Sequence, residues 1–302
     1  MNPEVSRKIE GIAQDRTHGA GWLSRAAIGV MKLATEKSEA ETIAQFLDEL
    51  TKVGAKLIQI RPGMASITNS VSRFVYEVFQ RSKDEEDLDS LRSFAGTKGD
   101  ELIEHSMEAA LKAAEKGALA IEDGDILMTC SYSATICETL RIAKGKGKGI
   151  EVIALESKSY GEAIARELKP YGIAVQVIPD NVIEEHMSPL KKVFVGADSI
   201  LGDGSLINGT PTYELASAAK KAGIPFYSVC ESVKLDVRSH RPELEKGFDL
   251  IPPHLITGII TEEGMIRPGE VIHRMKRFSK WVNISIVKGM GREVIAGGNS
   301  SS

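Results

Sequence analysis

Two rhythms divide the chain. Up to about residue 120 the apolar positions recur at three and four residues, which predicts helices. Ala26, Ala27, Val30, Met31 and Leu33 carry this spacing, and so do Ile43, Phe46, Leu47 and Leu50. Phe74, Val75, Val78 and Phe79 repeat it, and Leu111 to Ile121 is rich in Ala and Lys. Arg61-Pro62-Gly63 breaks the helical region, and Gly96 to Gly99 is read as a softer break. From Asp125 onward short apolar runs alternate with amphipathic stretches. The runs are Ile126–Thr129, Ile150–Leu155, Ala174–Ile178, Val193–Val195 and Pro225–Val229, with helical patterns at Glu162–Leu168 and Tyr213–Ala222. Thr210-Pro211 predicts the start of the latter, with an N-cap hydroxyl and proline at the first helical position. Strands alternating with helices imply βαβ units and a parallel sheet covered on both faces. The predicted fold class is α/β, a helical N-terminal domain plus a Rossmann-like parallel-sheet C-terminal domain. The expected boundaries are 1–120, 121–295 and a disordered tail at 296–302.

In open parallel sheets ligands bind outside the carboxyl ends of the strands. Those ends are Thr129-Cys130-Ser131-Tyr132-Ser133, Glu156-Ser157-Lys158-Ser159, Asp180-Asn181, Gly196-Ala197-Asp198 and Cys230-Glu231-Ser232, with Lys234 close behind. Any one of these polar groups is ordinary loop chemistry, but as a converging set they predict a pocket. Ser131 and Ser133 open a helix, where capping and phosphate binding use the same geometry. Cys130 is either a thiolate activated by that helix end or a buried, inert thiol, the commoner outcome. Cys137 and Cys230 read as packing. Asp198 follows Val-Phe-Val-Gly-Ala, where burial would tune a general acid or base, the alternative being a carboxylate that binds loop backbone. Asp203-Gly204 reads as a turn.

Composition narrows the rest. The 302 residues are 42% hydrophobic and 26% charged, with a net charge of −4. That charge gives no attraction to a phosphate backbone, so nucleic acid is not an expected partner. No apolar run is long enough for a bilayer, and the first residues hold no apolar signal core. Three cysteines make no disulfide framework, and a cytoplasmic address is the expectation. The six histidines show no metal-ligand spacing, and there is no P-loop or dinucleotide fingerprint. No cofactor is expected. Lys144-Gly-Lys-Gly-Lys-Gly149 follows a helix and reads as an exposed basic turn, and Arg274, Lys276, Arg277 and Lys280 as the solvated face of a C-terminal helix.

An ordered set of motifs carries a resemblance. It runs through His18-Gly-Ala-Gly-Trp-Leu-Ser-Arg25, Arg61-Pro-Gly-Met-Ala-Ser-Ile-Thr-Asn69 and Asp123-Gly-Asp-Ile-Leu-Met-Thr129. It continues through Gly196-Ala-Asp-Ser-Ile-Leu-Gly-Asp-Gly-Ser-Leu-Ile-Asn208, Glu231-Ser-Val-Lys234, Phe248-Asp-Leu-Ile-Pro-Pro253 and Ile259-Ile-Thr-Glu-Glu-Gly264. Together they resemble the family that joins the α, β and δ regulatory subunits of initiation factor 2B with isomerases of ribose 1,5-bisphosphate and methylthioribose 1-phosphate. The resemblance implies homodimers or higher oligomers, a phosphorylated sugar or nucleotide as ligand, and initiation factor 2 subunits as partners. In the isomerases a cysteine after a Thr-His pair and the aspartate of Gly-Ala-Asp move protons between C1 and C2. Asp198 matches that aspartate, Gly19 and Ala20 match a glycine loop over the substrate, and Arg61 and Lys234 match basic positions near the pocket. Ser133 and Asn208 complete the implied ligand-binding set.

The chain departs from the isomerase pattern. Ser131 stands where the nucleophilic cysteine belongs, and Cys130 comes one place early. Asn208-Gly209-Thr210-Pro211-Thr212 lacks the lysine of Asn-Lys-Ile-Gly-Thr. Ser157 and Lys158 stand where an arginine usually follows the second strand's glutamate, and His18 replaces an arginine. A serine hydroxyl does not take over thiol proton chemistry without strong activation. The pattern therefore suggests a regulatory binding subunit, with an isomerase using Asp198 and Cys130 or Ser131 as the alternative.

Overall fold

The computed structural model describes residues 1–238, 242–276 and 281. His240, Arg277, Lys280 and the 296–302 tail lie outside them. The chain forms two compact units, whose first boundary falls between Ser106 and Met107.

The first unit is helical: α1 (Pro3–Gln14), α2 (Ala20–Glu36), α3 (Ile43–Gln59), α4 (Ala65–Arg81) and the first part of α5 (Leu88–Leu119). The periodic positions are the buried ones. Ala27, Met31, Phe46, Leu50, Phe74 and Val78 are all sequestered from solvent. A capping box fixes the start of α3, with Gln45 N–H donating to Thr42 and the Gln45 side chain accepting from Thr42 N–H. The break at Arg61-Pro62-Gly63 separates α3 from α4. The softer break does not exist, because α5 runs without interruption through Gly96 and Gly99. Gly99 serves packing instead: a Cβ there would overlap the aliphatic stem of Lys32 on α2.

The second unit holds a sheet of seven strands. In chain order these are β1 (Ile126–Thr129), β2 (Glu151–Leu155), β3 (Val175–Ile178), β4 (Lys192–Val195) and then, beyond a second sheet, β7 (Phe226–Val229), β9 (Gly258–Thr261) and β10 (Gly264–Ile266). The second sheet is antiparallel and made of β5 (Ser199–Ile200), β6 (Leu206–Gly209) and β8 (Phe248–Ile251). Helices α6 (Ala134–Gly145), α7 (Tyr160–Leu168), α8 (Thr212–Ala222) and α9 (Val271–Met275) complete the unit. The large sheet has the order β10-β9-β7-β4-β1-β2-β3, parallel throughout except for the β9–β10 pair. The short central strands survive here because both faces are covered. Leu127, Val152, Ala154, Phe194 and Val229 pack with Ile136, Leu140 and Ile164 from α6 and α7 in one core.

Every apolar run read as a strand is a strand within a residue at either end. The small antiparallel sheet is an addition that the sequence reading did not contain. Its Asp203-Gly204 turn joins β5 to β6, with Gly204 at φ +84° and Ser205 N–H donating to Asp203 Oδ1 at 2.9 Å. The predicted cap of α8 is corrected. Pro211 is the N-cap and helix starts at Thr212. The Thr210 hydroxyl donates instead to Asp249 Oδ1 on β8, at 2.8 Å, and Asp249 Oδ2 accepts from Tyr213 N–H at 3.0 Å. A carboxylate from the neighbouring sheet thus caps the helix, and the negative charge suits the positive end of the helix dipole.

Candidate functional site

The topology selects the place. β2 and β3 are added on one side of β1, and β4 on the other, so the strand order reverses between β1 and β4. At such a switch point the loops diverge and leave a crevice at the carboxyl ends. The β1 tip here is Cys130 to Ser133, and the β4 tip is Gly196-Ala197-Asp198. The two lie side by side: a Cβ on Gly196 would sit 2.6 Å from Ser133 Oγ, and a Cβ on Gly209 2.6 Å from Ser131 Oγ. Two glycines thus let two serine hydroxyls lie flush against backbone.

Ser133 is the N-cap of α6, its Oγ accepting from Ile136 N–H at 3.4 Å. Ser131 is in the left-handed region at φ +58°, and so are Ser157 at φ +41° and Lys158 at φ +69°. These three are the non-glycine residues with positive φ among the described residues. All stand at the tips of β1 and β2, and such strain gathers where function holds it. Ser131 N–H donates to Ser157 Oγ at 3.2 Å, and Ser157 N–H donates to Asp180 Oδ1 at 2.9 Å. The β1, β2 and β3 tips are stitched together by these bonds.

Cys130 is fully buried. Its sulfur lies 3.1 Å from Thr212 Oγ1. Thr212 donates its single proton to Gly209 C=O at 2.6 Å and accepts from Asn208 Nδ2 at 2.9 Å. The remaining lone pair of Thr212 therefore takes the thiol proton, and Cys130 is a hydrogen-bond donor. Burial pushes its pKa up to about 12. Burial does the same to Cys230 at the β7 tip, also up to about 12, and to Cys137 inside α6.

Lys234 is buried, with Nζ 3.0 Å from Glu231 Oε2. Burial favours its neutral form, but the attraction of Glu231 and Asp198 outweighs burial and raises the pKa, so the ammonium persists. Asp198 is half-buried, and its backbone N–H donates to Ile207 C=O at 2.9 Å. The turn that carries Lys234 is fixed by Glu262, which accepts from Ser232 N–H at 2.8 Å and from the Ser232 hydroxyl.

Gly19, Ala20 and Arg61 belong to the first unit. Gly19 is the N-cap of α2, with open space where a Cβ would be, and Ala20 is the first helical residue. Arg61 is buried, and its Nη2 donates to the backbone carbonyl of Asp15. Asp15 accepts from Thr17 N–H at 2.8 Å and His18 N–H at 2.9 Å, with His18 Nδ1 2.7 Å from Oδ2. Although burial opposes it, these bonds hold the Asp15 carboxyl well below the usual range. The His18 ring stacks on Trp22 with centroids 3.8 Å apart.

Sequence reasoning missed Thr212 as the partner of the thiol and Asp249 as the cap of α8. Both sit inside quoted motifs, but their contacts cross 82 and 36 residues of chain. Among the described residues no cluster of three His, Cys, Asp or Glu is placed to hold a metal ion, and no helix is long and apolar enough to cross a membrane.

A helical unit followed by a mostly parallel sheet that runs 3-2-1-4 across its switch point defines a Rossmann-like α/β architecture. The chain belongs to the initiation factor 2 subunit family, whose model matches residues 16–245. It is 31% identical over 307 aligned residues to the ribose 1,5-bisphosphate isomerase of Pyrococcus furiosus, covering 92% of this chain and 94% of that one. It is 32% identical to a putative translation initiation factor eIF-2B subunit 2-like protein of Pyrococcus horikoshii, covering 89% and 98%. The solved translation initiation factor eIF-2B of Pyrococcus horikoshii superposes with a TM-score of 0.78 at 27% identity, over 90% of this chain and 100% of that one.

Proposed function

We propose that this chain is an initiation factor 2B-like subunit, a binding protein that keeps a strand-tip site for a phosphorylated sugar or nucleotide and has no isomerase turnover. One observation carries this reading. The thiol nearest the isomerase position is fully buried, donates its proton to Thr212 and has a pKa of about 12, so no thiolate is available for proton transfer near neutral pH. Ser131, the residue at the expected cysteine position, carries only a hydroxyl. Asp198, Ser131, Ser133, Asn208 and Lys234 then shape and charge the site without completing a proton relay. The subunit works as a homodimer or higher oligomer in the cytoplasm, with initiation factor 2 subunits as partners.

The alternative is an aldose–ketose isomerase with Asp198 and Cys130 or Ser131 moving protons between C1 and C2. It is favoured by the retention of Asp198 beside a buried cation and by 31% identity to the Pyrococcus furiosus isomerase. Calorimetric titration with ribose 1,5-bisphosphate and methylthioribose 1-phosphate, followed by an assay for ketose, separates the two. Binding of one sugar phosphate without ketose formation is expected. Turnover that Asp198→Asn abolishes would establish the isomerase.

A further inference from the structure

Ser131 is held out of its preferred conformation by its neighbours. Its backbone is left-handed at φ +58°, a region that is costly for a residue with a Cβ. Such a residue persists only where its surroundings over-determine it. Three bonds to three different elements supply that constraint. Ser131 N–H donates to Ser157 Oγ at the β2 tip, at 3.2 Å. On one side of Ser131, Cys130 is buried with its sulfur 3.1 Å from Thr212 Oγ1 on α8. On the other side, the Tyr132 hydroxyl donates to Glu167 Oε2 on α7 at 2.7 Å.

The third bond reaches farthest from the tips. Helix α7 starts just after the β2 tip and ends at Leu168, so Glu167 stands in its last turn, about 10 Å along the helix from its first residue. Tyr132 spans that distance by lying half-buried against the core that holds Ile136, Leu140 and Ile164. Burial and the charge of Glu167 both push the Tyr132 phenol above its ordinary pKa, so it keeps its proton and its donor role. A phenylalanine would fill the same apolar volume. What the hydroxyl adds is direction, because it fixes the ring and with it the peptide that joins Tyr132 to Ser131. The next residue, Ser133, caps α6 and presses on Gly196, so this short run seats both serine hydroxyls of the crevice.

We infer that Tyr132 is a positioning residue for the strand-tip site: its bond to Glu167 is the tether that keeps Ser131 left-handed and the Ser131 and Ser133 hydroxyls in their seats. The inference rests on the reading of these tips as the ligand site. It is tested by titrating ribose 1,5-bisphosphate into wild type, Tyr132→Phe, Glu167→Gln, Ser131→Gly and the variant carrying both Tyr132→Phe and Ser131→Gly. Amide hydrogen exchange over residues 129–137 is followed in each without ligand. Tyr132→Phe weakens binding about fivefold or more, the population cost of a left-handed residue that has lost its tether, and speeds exchange at the tip. Glu167→Gln keeps an acceptor oxygen and matches wild type closely. Glycine takes φ +58° freely, so in the Ser131→Gly background the same Tyr132→Phe change costs less than about twofold in affinity. A merely structural tyrosine would lower the Tm of Tyr132→Phe with affinity and tip exchange unchanged. That result overturns the inference, as does a Tyr132→Phe loss that persists undiminished in the glycine background. If wild type binds no sugar phosphate, the functional reading falls and exchange alone decides: faster in Tyr132→Phe but not in Glu167→Gln, the tether stands; unchanged in both, it falls too.

Discussion

The two edges of the seven-stranded sheet each carry a lysine paired with a buried carboxylate, and they are built on different rules. At the amino-terminal edge Lys192 Nζ lies 2.6 Å from Asp125 Oδ2, which also accepts from Glu122 N–H at 2.7 Å. Lys148 there donates to the carbonyls of Ala118 and Ile121 at the end of α5, so the basic turn at 144–149 closes a helix. The left-handed positions of this edge, Gly124 at φ +81° and Gly147 at φ +83°, are glycines. At the carboxyl-terminal edge Lys234 meets Glu231 and feels Asp198 as well, left-handed positions are filled by Ser131, Ser157 and Lys158, and Lys158 is unpaired among the described residues. One edge is made of glycine turns and paired charge, and the other keeps backbone strain and a lysine without an ion pair among the described residues.

The largest expected effect is alkaline. Cys130 and Cys230 both stand at the carboxyl-terminal edge, with pKa values raised from 9.0 to about 12. Above pH 9 the unfolded thiols ionise while the folded ones keep their protons, so the unfolded state binds fewer protons and stability falls as pH rises toward 12. Each thiol contributes up to about 1.4 kcal/mol per pH unit in that window. Urea melts at pH 8 to 11 should show the fall, and Cys130→Ala should flatten it; an unchanged slope would disconnect alkali sensitivity from this edge.

Next in size is the loss of either lysine. Lys234→Met leaves Glu231 buried without its cation and should cost about 3–5 kcal/mol in urea unfolding. Lys192→Met should cost less, about 1–3 kcal/mol, because Asp125 keeps its backbone hydrogen bond. Equal costs would break the contrast between the edges.

Gly196→Ala should destabilise by about 1–3 kcal/mol, since its Cβ meets Ser133 Oγ at 2.6 Å and Ser133 Cβ at 2.8 Å. Adding Ser133→Gly should restore most of it, because glycine is a tolerable N-cap. The double-mutant cycle measures how tightly the β1 and β4 tips are pressed together. The smallest effect runs the other way: Ser131→Gly should raise stability by about 1 kcal/mol through relief of φ +58°, seen as a higher Tm.

Burial patterns, more than chemistry, decided what could be read from the sequence. β1, β2 and β4 declared themselves because each is a nearly continuous apolar run buried on both faces, while β3 and β7 were legible from Val, Ile, Phe and Tyr despite Gln176 and Ser228. β5 and β6 have two and four residues and gain their partners from across a turn, so no local period marks them. Gly96 and Gly99 looked like a break because glycine is a poor helix former, whereas Gly99 is where α5 accommodates Lys32. Convergence of the strand tips followed from the parallel-sheet rule. The state of Cys130 did not, because it depends on the single lone pair left on Thr212, which no pattern along the chain encodes.

The hold of Asp249 on the start of α8 has a mechanical corollary. β8 presents alternate residues to opposite faces, so sliding it one place along β6 would swing that carboxylate away from Tyr213 and unfasten the first turn of the helix. Thr212 is in that turn and grips the thiol. The register of a three-stranded ribbon thus works as a latch on a sulfur atom, and the rate at which a thiol-directed reagent finds Cys130 becomes a clock for every event that disturbs the ribbon.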